Sequence, residues 1–77
     1  MVITLQEILI AGKDKDPTIV FDILKDGVSM GIGAAISKNS TRLVNDSGIQ
    51  ITLEELERIV FEMRKMRDQI HYGNLIR

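Results

Sequence analysis

A chain of 77 residues, 44% hydrophobic and 27% charged, can build one small globular domain but not two independent cores. With two Phe, one Tyr and no Trp the core must be aliphatic, and with no Cys neither disulfides nor thiolate metal ligands can staple it, so self-association is the expected source of further burial. The formal charge of -1 supplies no global field for non-specific binding to nucleic acid or to an acidic membrane.

The opening run MVITLQEILIAGKDKD has no basic segment ahead of its apolar residues, and Gln6 and Glu7 interrupt them, so the expectation is a cytoplasmic protein with no membrane contact. Thr4 and Glu7 are spaced as a helix capping box, as are Thr52 and Glu55, and the pairs Ile3 with Ile8 and Ile51 with Leu56 fit a hydrophobic staple beside each. The first box predicts a short N-terminal helix stopped at Gly12; an edge strand over VITLQEILI is the alternative. The likeness between the two segments ends after about six residues and is not a repeat. Asp14 and Asp16 lie in a charged loop where Pro17, Thr18 and Ile19 stand in place of the ligands and glycine of a calcium loop, so they read as solvated.

From Thr18 the run TIVFDILK is β-branched and aromatic, with Ile19, Phe21 and Ile23 on one face and Val20, Asp22 and Leu24 on the other. Lys25-Asp26-Gly27-Val28 supplies hairpin chemistry. The next run alternates sharply: Val28, Met30, Ile32, Ala34 and Ile36 form an apolar face, and Ser29, Gly31, Gly33, Ala35 and Ser37 a nearly bare one. A turn at Asn39-Ser40, a short strand over TRLVN and a turn at NDSG complete a three-stranded antiparallel meander.

The segment from Leu53 to about Tyr72 has no Gly or Pro and predicts a helix roughly 30 Å long. Leu53, Leu56, Ile59, Val60, Met63, Met66 and Ile70 make its core-facing stripe, roughly 140° wide. Glu54 with Arg58, Arg58 with Glu62, and Arg64 with Asp68 are spaced for ion pairs, and Gly73 with Leu75 suits a C-terminal cap. The fold class is therefore α+β: a small antiparallel three-stranded meander packed on a long C-terminal helix, with a short N-terminal helix or strand.

Three glycines in DGVSMGIGAAISK invite a phosphate-loop reading, and the spacing refuses it. A dinucleotide fingerprint would need glycine where Ile36 stands and a helix after it; a Walker loop would need four residues between its glycines and a following Lys-Ser/Thr. What remains is a strand whose small face admits another backbone, a helix or a partner chain at Gly31 and Gly33, with a ligand cradled there as the lesser alternative. Asp22 sits in an apolar strand with Arg42 as a candidate cross-strand partner, a structural role before a catalytic one. His71, the only histidine, has no companions for a metal site, and Ser29, Ser37, Ser40, Thr41 and Ser47 have no nucleophile setting. No catalytic residue, cofactor or metal follows from these residues, and the expectation is a protein that is not an enzyme.

Two interaction surfaces do follow. Phe61 lies outside the apolar stripe, on the same side as Tyr72, with Leu75 and Ile76 beyond, and marks a contact surface together with the Gly31 and Gly33 strand. Arg42, Arg58, Arg64, Lys65 and Arg67 are candidate phosphate contacts, weakened by interspersed Glu57, Glu62 and Asp68. The leading expectation is a regulatory or interaction module, homodimeric, with an unidentified protein partner; nucleic-acid or nucleotide binding is the alternative and is disfavoured. In size and charge the chain resembles short accessory proteins of prophages and mobile elements, and no motif names a family.

Overall fold

In the computed structural model, which describes residues 1–12 and 16–71 (His71 by its backbone alone), β-branched Ile3, Ile8 and Ile10 extend the first segment into strand β1, Ile3–Ala11. The predicted N-terminal helix is therefore not formed, and the edge-strand alternative is correct. On a helix the apolar residues of this segment would scatter around the axis, whereas pairing with the neighbouring strand puts Ile3, Leu5 and Ile10 against Lys25, Ile23 and Ile19. The parity is repaired by a bulge between Glu7 and Leu9: the extra residue, Ile8, returns Ile10 to the face that Ile3 and Leu5 occupy.

Strands β2 (Thr18–Lys25), β3 (Val28–Ile36) and β4 (Thr41–Val44) follow, giving a four-stranded antiparallel sheet in the order β1-β2-β3-β4. Asp26 and Gly27 both take positive φ, 51° and 83°, the two-residue hairpin turn whose twist matches the strands. Asp26 also ties down β1, donating its N–H to the Val2 carbonyl and accepting the Val2 N–H on Oδ1, both at 2.8 Å. In β3 the residues between Ser29 and Gly33 face only Ile23 of β2, so β3 carries two extra residues; an even insertion preserves the alternation. Ile32, Ala34 and Ile36 are buried as expected, while Val28, at the far end of that face, is 70% exposed.

Among the described residues a single helix, α1 (Leu53–His71), closes the core, its nearest approaches being to β1 and β3. Ile59, Met63 and Ile70 are buried with Ile3, Ile19, Phe21, Ile23, Ile32, Ala34 and Ile36. The second capping box forms as expected: Thr52 Oγ1 accepts the Glu55 N–H at 3.1 Å and Glu55 Oε1 accepts the Thr52 N–H at 2.9 Å. The predicted stripe is too wide, however. Leu53 is 72% exposed and Val60 36%, because a straight helix on one sheet buries only the strip facing it. Among the described residues the ion pairs of the helix are Glu62 with Lys65, Arg67 with Asp68, and Glu55 with Lys25, in place of the three pairs expected from spacing. No helix among the described residues is long and apolar enough to cross a membrane.

Ile59 is fully buried, so Ile59→Ala is expected to cost about 2–5 kcal/mol through lost transfer energy and a residual cavity. Val28→Thr, with the same branching at an exposed position, should stay within about 0.5 kcal/mol of the parent. Urea unfolding of the two variants checks both values; equal losses would contradict this placement of the core.

Candidate functional site

Gly33 explains half of the glycine run by a contact inside the sheet. A Cβ there would stand 2.9 Å from the Phe21 carbonyl oxygen, closer than such atoms approach, so the backbone lying against Gly33 is that of β2. Gly31 answers the other half: its φ is +78°, a conformation that glycine adopts without strain, and a Cβ there would touch the Ile49 side chain at 3.8 Å. The run is thus a turn and an irregular strand. Ser29 locks the irregularity, its Oγ accepting the Gly31 N–H at 3.2 Å and donating to Asp22 Oδ1 at 3.0 Å. Asp22 accordingly takes Ser29 as its partner and not Arg42, which stands opposite Ala35.

The candidate phosphate contacts do not converge. Arg42 shares the outer face of the sheet with Ala35 and Val20. Arg58 lines a groove of about 190 Å³ between the helix and the start of β1, with Met1, Val2 and Phe61. Lys65 is engaged twice, its Nζ 3.2 Å from Glu62 Oε2 and 5.2 Å from the centre of the Phe61 ring. Arg64 and Arg67 lie on the other flank, in a groove of about 260 Å³ with Leu43 of β4 and Leu56 and Val60 of the helix.

The helix flank is where apolar surface gathers. Phe61 is 60% exposed, and with Leu53, Leu56, Glu57, Val60 and Arg64 it lines a shallow groove of about 400 Å³ along the side of α1 turned from the sheet. Sequence reasoning placed Phe61 here and assigned Leu53 and Val60 to the core; the width of the stripe was the available sign that one sheet could not cover it. Tyr72, Leu75 and Ile76, the expected companions of Phe61, lie outside the described residues, as do Gly73 and Asp14. Among the described residues no cluster of three or more His, Cys, Asp or Glu is placed to hold a metal ion.

The perturbed titrating pair is architectural. Lys25 reaches from the end of β2 to Glu55 in the first turn of the helix, Nζ to Oε2 at 2.7 Å. The hydrogen bond from Lys25, then those from the backbone and side chain of Thr52, push the Glu55 carboxyl down to about 2 from an ordinary 4.5. Lys25 is raised in turn, chiefly by its hydrogen bond to Glu55 and then by that charge.

A carboxyl with a lowered folded-state pKa stabilises the fold above its ordinary value and loses that contribution as the pH falls through the folded value. The melting temperature of the parent should therefore exceed that of Glu55→Gln by a constant margin at neutral pH. The margin should shrink as pH drops from about 4.5 towards about 2. The amide keeps the capping acceptor and removes only the charge, and thermal melts across this range check the convergence; parallel curves would contradict it.

Comparison with known protein families, curated proteins and solved structures finds no match to this chain.

Proposed function

We propose that the protein is a non-catalytic interaction or regulatory module that works as a homo-oligomer, at its simplest a homodimer. The observation that supports this reading is the groove on the solvent side of α1, where Leu53, Val60 and Phe61 are exposed together beside half-buried Leu56. Isolated apolar side chains on a surface need no explanation, but several in one groove of a small domain form a surface that gains free energy when covered. The size of the chain points the same way, since a single helix covers a single face of a four-stranded sheet and a small core stabilises weakly on its own.

The nucleic-acid reading draws less support. Of the five bases considered, Arg42, Arg58 and the pair Arg64 and Arg67 occupy different surfaces, and Lys65 is engaged by Glu62 and Phe61. A backbone-tracking groove requires bases along one path.

Sedimentation velocity of the full chain at high micromolar concentration is expected to show a species larger than the monomer. Labelled DNA and RNA at low salt are expected to show no binding. A folded monomer throughout would remove the homo-oligomer, and an affinity that falls steeply with salt would put the nucleic-acid reading in its place.

A further inference from the structure

The homo-oligomer reading leaves open which surface joins the copies, and three surfaces of the described residues compete. The outer face of the sheet owes its glycines to the chain itself, Gly31 to its positive φ and Gly33 to the Phe21 carbonyl, and it carries Arg42 and the Asp22–Ser29 pair. The free edges of the sheet offer little continuous pairing: β4 is only four residues long, and β1, nine residues long, is broken by the bulge at Ile8, a device that disrupts edge pairing. The solvent ridge of α1 is different, because its charges are ordered along its length.

Leu53, Glu57, Val60 and Arg64 follow one another at spacings of four, three and four residues, the repeat with which one helix forms a seam against another; Leu56 and Phe61 flank it. Within that groove the acid, Glu57, lies towards the N-terminal end of the helix and the base, Arg64, towards the C-terminal end. Glu57 and Arg64 are seven residues apart in one chain, about 10 Å along the axis, so they cannot satisfy each other there. Among the described residues neither makes an ion pair, and Arg67 meets only its exposed neighbour Asp68.

We propose that α1 pairs with α1 of a second copy, antiparallel, about a two-fold axis between Val60 and Phe61. Glu57 and Arg64 are equidistant from that axis, so the acid of each copy meets the base of the other while Val60 and Phe61 meet at the centre. A parallel pairing would set Glu57 on Glu57 and Arg64 on Arg64. A polyanion would meet Glu57. The ridge is complementary to itself in one orientation, and a two-fold contact of one patch with the same patch closes without further growth. The contact is a few helical turns long, at the small end of specific interfaces, and fits a dimer that forms in the micromolar range.

This inference rests on the homo-oligomer reading, and charge exchange separates the two. Sedimentation velocity is run on the full chain, on Glu57→Arg and on Arg64→Glu, with circular dichroism confirming that each variant keeps its helix. Each variant alone sets two like-charge pairs in the dimer and is expected to raise the dissociation constant about tenfold or more. An equimolar mixture of the two variants places glutamates of one copy on arginines of the other and is expected to restore dimers. Parent dimers that persist unchanged in both variants would overturn the helix pairing while leaving the homo-oligomer standing. Variants that dissociate but are not rescued by mixing would overturn the antiparallel register, and a monomeric parent would overturn both readings.

Discussion

The carboxylate of Glu55 is the point at which the two halves of this fold are joined. One oxygen takes the Thr52 N–H and sets where the helix begins; the other takes Lys25 Nζ and sets where that beginning sits on the sheet. A helix whose start is fixed along and around its own axis has its buried strip fixed as well, because each residue advances about 100° around the axis. Ile59, Met63 and Ile70 then face inward and Leu53, Val60 and Phe61 cannot. The bridge of Glu55 to Lys25 and the burial of Ile59, Met63 and Ile70 agree on one placement of the helix, and that placement leaves Leu53, Val60 and Phe61 in solvent. Burying a carboxylate without partners would cost far more than it returns, and here both of its oxygens are occupied.

The fold was legible wherever local pattern and tertiary demand agreed. The hairpin at Asp26-Gly27, the alternation of β3 and the box at Thr52 each carry a signal within a few residues, and each is formed. The box at Thr4 is as good a local signal and is overruled, because pairing of β1 with β2 satisfies a whole strand of backbone groups and packs Ile3 and Leu5 on the core. The bulge at Ile8 hid that strand from a period-two reading by putting Ile8 and Leu9 side by side. Glu55 was legible as a cap; its partnership with Lys25 spans thirty residues and has no local sign.

The candidate site was legible in part for a similar reason. Phe61 stands out on a helical wheel whatever the helix packs on, whereas the status of Leu53 and Val60 depends on how far the sheet reaches around the helix. The glycines show the converse. Their small size can mark a close approach or a positive φ, but sequence does not tell which, nor whether an approaching group is foreign; here the Phe21 carbonyl approaches Gly33 and a φ of +78° accounts for Gly31. A substitution such as Gly33→Val therefore disturbs β2 itself and is a poor probe of any surface above the strand.

The charge order of α1 acts both within one copy and towards another surface of the same kind. Acids near the start of a helix and bases near its end are favoured in an isolated monomer, because they oppose the partial charges of the helix termini. The same order makes any ridge that carries it complementary to its own reverse. For most helices this has no effect, since water and salt screen exposed pairs to a small fraction of a useful energy. The difference in α1 is that Leu53, Val60 and Phe61 interrupt the charges on the same ridge, so that in the proposed pairing water would be displaced where Glu57 and Arg64 meet. In that pairing apolar burial would supply the attraction and the charges would select the orientation, and neither would specify a partner alone.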